Sequence, residues 1–243
     1  MARHPRAPRA VLFDWGHTLT EYIGDDADKA IEYASDNVLH KQRQTVTRQL
    51  KRAVRNFWST PDAAETQNFN GIVREVLDAA GFVDRELANR YTQVYLDHLG
   101  SLIRHHPEAK PLLAELDARE VPAGLICNTL WPSEWHDRLL ERDQLLDLFT
   151  ARVYSSDVGV RKPNRKIFDL ACRELGVEDT QMVYLVGDRM DQDVQGGHDA
   201  GLVTVWLRNT QDTSKSMDAP DHTINGLCEL LDLIDAPKGV RAK

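Results

Sequence analysis

The chain has 243 residues, 42% of them hydrophobic, enough for one large domain or a large one with a smaller companion, so disorder is not the default reading. A net charge of −8 and a pI near 5.6 exclude a protein that grips nucleic acid by neutralising its backbone, because that mode needs Lys and Arg in excess. Small phosphorylated ligands stay open, since they need only a local positive site.

The basic start, MARHPRAPRA, leads into only four apolar residues, Ala10 to Phe13, before Asp14. That is too short for a signal-peptide core and reads as a frayed tail ahead of a first strand, VLF at 11. From 21 to about 104 no good strand follows, but amphipathic helices do. Val46, Leu50, Val54 and Phe57 share one helical face; Ile72, Val73, Val76, Leu77 and Ala80 form a second, ahead of Gly81; Leu87, Tyr91, Val94 and Tyr95, with Leu99 at the edge, form a third. These stripes read as the core of a small helical bundle inserted after the first strand, with dimerisation through the insert as the other use for them.

Beyond the insert, short apolar runs alternate with helical patterns: VPAGLIC at 121, ARVY at 151, MVYLVG at 182 and VTVWL at 203. Runs with so little polar alternation suit parallel strands covered on both faces. The spacing predicts helices over Pro107–Arg119, Ser133 to about Leu148, Pro163–Leu175 and about Asp191–Ala200, the last two closed by Gly176 and Gly201. After the polar, turn-rich RNTQDTSKSMDAPDH come a small strand at HTI and a closing helix in NGLCELLDLI, and PKGVRAK reads as disordered. The expected architecture is α/β: a Rossmann-like, doubly wound parallel sheet formed by 1–20 and 105–243, with an all-α cap over 21–104. Cys127, Cys172 and Cys228 are odd in number and widely spaced, so neither a disulfide framework nor a zinc site follows, and a reducing cytoplasm fits. No apolar run approaches the roughly 20 residues that span a bilayer.

In an open parallel sheet, ligands bind beyond the carboxyl ends of the strands. Four features fall there: Asp14 after the first strand, Cys127-Asn128-Thr129 after the second, Lys162 in the loop after the third, and Gly187-Asp188 closing the fourth. An acid at position 14 either caps its strand or acts as a nucleophile that splits phosphoryl transfer into two steps. GDRMDQD supplies Asp188, Asp191 and Asp193, which either cap a helix or, brought toward Asp14, repel one another unless a cation neutralises them. Oxygen-only ligands of this kind suit Mg2+. Lys162 is either solvated or turned back to pair with Asp14 or a phosphate oxygen, while Arg161, Arg165 and Lys166 read as surface charges.

DWGHTL, ICNTL, VRKPNRKIF and GDRMDQD, in this order, resemble the four motifs of the haloacid dehalogenase (HAD) superfamily, and the insert lies where that superfamily's C1 caps sit. The resemblance implies Asp14 as nucleophile and metal ligand, the Gly16 carbonyl and Asp188 as further ligands of Mg2+, and Asp193 in support. It also implies Lys162 as the partner of nucleophile and phosphate, and Asn128 as a wall of the phosphate pocket. Two positions depart from the pattern. Gly16 stands where family phosphatases carry an aspartate acting as general acid and base, and Cys127 stands where Ser or Thr contacts phosphate, a weaker donor for which Thr129 is the expected substitute.

The implied activity is Mg2+-dependent hydrolysis of a small phosphorylated metabolite through an aspartyl phosphate on Asp14, with alkyl phosphates penalised most, because their leaving groups need the missing proton. His17 and Glu21 are candidate replacement donors. Two alternatives stand beside it: a HAD-fold protein that binds a phospho-ligand without turnover, and a phosphonatase-like C–P hydrolase, which needs a cap lysine such as Lys29, Lys41 or Lys51.

Overall fold

The computed structural model of the chain describes residues 7–21, 24–60, 68–208, 214 and 216–235. The basic start through Arg6 and the closing PKGVRAK lie outside the described residues.

The five apolar runs and the small strand expected at HTI all form: β1 (Ala10–Phe13), β2 (Ala123–Cys127), β3 (Ala151–Tyr154), β4 (Val183–Gly187), β5 (Val203–Leu207) and β6 (His222–Ile224). They pair in parallel in the order β3-β2-β1-β4-β5-β6, the strand order of a doubly wound sheet whose direction reverses between β1 and β4. Every residue of β1 is buried, as expected for a central strand covered on both faces. Val11 and Phe13 join one apolar cluster, whereas Ala10 and Leu12 join another with Ile167, Phe168 and Ala171 on the opposite face.

Between β1 and β2 lie α1 (Gly24–Val38), α2 (Arg43–Ser59), α3 (Phe69–Ala79), α4 (Arg85–Leu102) and α5 (Ala109–Ala118). The stripe of α2 is buried as its spacing predicts, as are Ile72, Val73 and Leu77 of α3 and Tyr91, Tyr95 and Leu99 of α4. Side-chain caps start two of these helices: Asn68 accepts from Gly71 N at 2.9 Å, and Asp84 from Glu86 N at 2.9 Å. The first helix adds a fourth stripe beyond the three expected, with Ala30, Ile31, Ala34 and Val38 inward. Chain entry and exit run side by side, Thr20 bridging His105 while Glu21 N donates to Arg104 O at 3.0 Å and His106 N to Leu19 O at 2.8 Å. The apolar cluster under Val11 and Phe13 continues without a break into α1–α4.

The remaining helices are α6 (Ser133–Arg142), α7 (Ser155–Val158), α8 (Arg165–Glu174), α9 (Gln195–Ala200) and α10 (Glu229–Asp235). Gly176 and Gly201, at φ of 69° and 84°, take the left-handed positions predicted after α8 and α9. Three boundaries differ from the sequence-based expectation. Helix α6 stops six residues short of Leu148 because Gln144 turns left-handed (φ 58°), leaving one 3-10 turn at Leu146–Leu148. Helix α8 opens after Pro163, where the side chain of Asn164 caps Lys166 N at 3.0 Å. The stretch predicted to start a helix near Asp191 is a π turn, Met190–Val194, followed by α9. Among the described residues no helix is long and apolar enough to cross a membrane.

Candidate active site

Asp14 leaves the end of β1 with its N–H fixed to Val186 O at 2.9 Å. Asp188 follows β4, its carbonyl accepting from Trp206 Nε1 at 2.8 Å. The π turn swings Asp193 back over the end of β4, where Arg189 N donates to its carboxylate at 3.0 Å. This return needs Gly187: a Cβ there would lie 2.3 Å from the carboxyl carbon of Asp193. One carboxylate oxygen from each of Asp14, Asp188 and Asp193 lies within 4.8 Å of the other two, and all three residues are buried. Lys162 reaches in from the loop after α7, its Nζ 2.6 Å from Asp14 Oδ1 and 2.7 Å from Asp193 Oδ1.

Three carboxylates facing one ammonium leave an excess of two negative charges in a buried site. Oxygen donors with that residual charge fit a hard divalent cation that keeps some of its water. Burial alone would lower the Lys162 ammonium, but Asp14 and Asp193 outweigh it and hold its pKa above the ordinary value. Burial pushes Asp193 up to about 6 against the opposing pull of Lys162. Within the trio Asp14 is the accessible member, its side chain 11% exposed against 2% for Asp193 and 1% for Lys162.

The residues of the second motif divide. Cys127 is buried at the end of β2, and burial first, then Asp14 and Asp193, raise its pKa well above the ordinary value, so it stays a neutral thiol. Asn128 Oδ1 accepts from Lys162 N at 2.8 Å, and its Nδ2 donates to Lys162 O and Gln192 Oε1, both at 2.9 Å. Thr129 does not stand in for the missing hydroxyl at position 127. Its side chain is 1% exposed and committed to the interior, accepting from Trp131 N at 2.9 Å and pairing with His136 Nε2 at 2.8 Å. A Cβ built on Gly16 meets no atom within 4 Å. His17 sits beside it at φ 61°, its pKa lowered by burial and by Arg189 against the pull of Asp14.

Arg161, expected on the surface, instead lies over the ring of Phe57 at 4.2 Å and donates to Phe57 O at 3.2 Å and Thr60 O at 2.5 Å, capping the end of α2. Trp15, next to Asp14, donates to His105 Nε2 at 3.2 Å, and His105 Nδ1 meets Asp143 Oδ2 at 2.6 Å. The only sequence signal for these contacts was residue type, since the partners are far apart in the chain. A Schiff base needs a neutral amine, and two of the three candidate cap lysines are held as ammonium ions by neighbouring acids. Lys29 is exposed against Asp26, Lys51 is held protonated by Glu32 and Asp28, and Lys41 is exposed.

A doubly wound α/β sheet thus gathers acids and a lysine at its switch point. The family profile of haloacid dehalogenase-like hydrolases matches residues 8–201, and the chain belongs to that family. It is 29% identical over 237 residues, 93% of this chain and 97% of the other, to a glyceraldehyde 3-phosphate phosphatase of Methanopyrus kandleri. Over 95 residues, 39% of this chain and 42% of the other, it is 43% identical to the pyrimidine 5'-nucleotidase YjjG of Escherichia coli. Among solved structures, a 2-haloacid dehalogenase of Pseudomonas syringae pv. Tomato superposes with a TM-score of 0.73 at 24% identity, covering 93% of this chain and 97% of that one.

Proposed function

We propose that the chain is a phosphatase acting on a small phosphorylated metabolite, with Asp14 as nucleophile and Mg2+ as cofactor. The observation that carries this reading is the buried ion pair of Lys162 with Asp14 inside a three-carboxylate cluster. Asp14, Asp188 and the Gly16 carbonyl would hold the ion, with Asp193 in support. When bound, the ion supplies charge neutralisation for the phosphoryl oxygens.

One carboxylate oxygen of Asp14 attacks phosphorus, and the leaving oxygen departs with its electron pair, giving an aspartyl phosphate. Water then attacks phosphorus and gives up a proton to solvent, which protonates the departed leaving oxygen, while the Asp14 oxygen leaves; inorganic phosphate is released and the free carboxylate is regenerated. Throughout, Lys162 faces the Asp14 carboxylate and offsets the charge that accumulates on the phosphoryl group. Position 16 has no side chain and so offers the leaving group no proton donor. Substrates whose leaving group needs no proton, acyl or aryl phosphates, therefore suit the site better than alkyl phosphates. The helices of 21–104 act as a cap that excludes water and selects substrate. Three free thiols, Cys127, Cys172 and Cys228, agree with a reducing cytoplasm.

The experiment is a screen of phosphate esters, anhydrides and phosphonates with and without Mg2+, on wild type and Asp14→Asn. Release of phosphate by the wild type with Mg2+ and none by the variant is expected. A second reading, ligand binding without turnover, draws on the two altered positions, Gly16 and Cys127. Calorimetric binding of a phosphate ester with no phosphate released over hours would favour it over hydrolysis.

A further inference from the structure

We infer that Asn128 and Gln192 act together as positioning residues for Lys162, and that the Asn128 side chain is not a contact for the substrate's phosphate. The inference builds on the reading of Lys162 as the cation at the reacting centre.

A carboxamide carries two N–H donors and one oxygen with two lone pairs. In Asn128 both donors are used, one on Lys162 O and one on Gln192 Oε1, and the oxygen accepts from Lys162 N. The orientation is fixed by Lys162 itself. Turning the amide over would set Nδ2 against the Lys162 N–H and Oδ1 against the Lys162 carbonyl, two like-against-like contacts. What remains unused is one lone pair, which repels a phosphate oxygen. Binding phosphate through this side chain would mean breaking a bond that holds the lysine.

Both backbone groups of Lys162 are therefore satisfied by one side chain, much as a neighbouring strand would satisfy them. The loop between α7 and α8 lacks such a neighbour, and the half-buried amide of Asn128 supplies it from the end of β2. Gln192 completes the device from the π turn, the same turn that carries Asp193. The backbone of Lys162 is thus tied to that turn through Asn128 and Gln192, while its ammonium is tied to it through Asp193 at 2.7 Å. Two links to one turn hold Nζ against Asp14, with Lys162 neither sliding along its loop nor rotating out of the cluster.

The test uses full-length Asn128→Ala and Gln192→Ala with p-nitrophenyl phosphate and Mg2+, together with the ammonium resonance of Lys162 in 15N-lysine-labelled protein, assigned by its loss in Lys162→Met. Misplacement on the scale of an ångström costs about 100-fold in rate. Accordingly, Asn128→Ala should lower kcat by about 10- to 100-fold and Gln192→Ala by about 3- to 10-fold, each with KM within about 3-fold of wild type. Both should also shift or broaden the Lys162 resonance. A rise in KM of about 10-fold with kcat unchanged would make Asn128 a phosphate contact and overturn the inference, as would a Lys162 resonance identical to wild type in both variants. Should the wild type release no p-nitrophenol, the phosphatase reading fails, and the resonance still decides the positioning role. If Asn128→Ala does not fold, Gln192→Ala, which removes one bond of the three, carries the same two readouts.

Discussion

Lys162 Nζ lies 2.6 Å from Asp14 Oδ1, with the lysine side chain only 1% exposed, although 148 positions separate the two residues. A cation so deep in the protein is tolerable because two carboxylates face it, and those carboxylates are tolerable because of it. Lys162→Met keeps most of the volume and removes the charge. Breaking a buried pair by deleting one partner costs about 3–5 kcal/mol, so metal-free Lys162→Met should lose that much in urea unfolding. Turnover should fall by at least about 100-fold, the scale seen when one charge-stabilising donor is removed. Unchanged stability would mean that the pair does not form in solution.

Position 16 is open, since a Cβ there touches nothing within 4 Å and its φ is ordinary. Gly16→Asp should therefore fold as wild type and restore a proton donor. General acid help is worth about 10²- to 10⁴-fold, and the gain should fall on alkyl substrates. Turnover of glycerol phosphate should rise by about 100-fold or more while p-nitrophenyl phosphate changes little. An equal change for both substrates would show that protonation of the leaving group is not what position 16 limits.

Much of this was legible in the sequence. The first five strands read as apolar runs with little polar alternation, and Asp14, Lys162 and Asp188 stand where the doubly wound order brings strand ends and their loops together. Hidden were contacts made by side chains to distant backbone, which leave no periodic mark. Arg161 reads as one more surface charge until its guanidinium is seen on the carbonyls of Phe57 and Thr60. Thr129 likewise looks available, although the turn after β2 commits its hydroxyl to Trp131 and His136. In sequence the π turn looks like a plain helix start, because its residues have no distinctive composition; what requires it is the return of Asp193 over Gly187.

His105 and His136 are both held neutral. Burial lowers the pKa of each, with Arg142 adding to the effect on His105 against the pull of Asp143, and His136 falls to about 3. In the unfolded chain both titrate near 6.5. Above that pH neither state carries the proton and the full stability is present. Below it the unfolded chain takes up protons that the fold refuses, so stability declines as pH falls from 6.5 toward about 3. The His136 share amounts to about 1.4 kcal/mol one pH unit below its unfolded pKa. Urea unfolding across pH 5 to 8 should show this slope, and His136→Phe should flatten it; an unaltered slope in that variant would assign the dependence elsewhere.

Metal binding has a signature that needs no substrate. A cation that binds only the folded state stabilises it by about 2.7 kcal/mol at one hundred times its Kd. Mg2+ should therefore raise the melting temperature of the wild type, and Asp188→Asn should abolish most of the rise, because Asp188 is one of three carboxylates in the cluster. An equal rise in the variant would remove Asp188 from the ligand set.

The most direct measurement is chemical capture of Asp14 during turnover. Wild type mixed with p-nitrophenyl phosphate and Mg2+ is quenched in acid, reduced with borohydride and sequenced by mass spectrometry. Homoserine at position 14, absent from Asp14→Asn, is the expected result. Steady phosphate release with Asp14 recovered unmodified would contradict a covalent role for this residue.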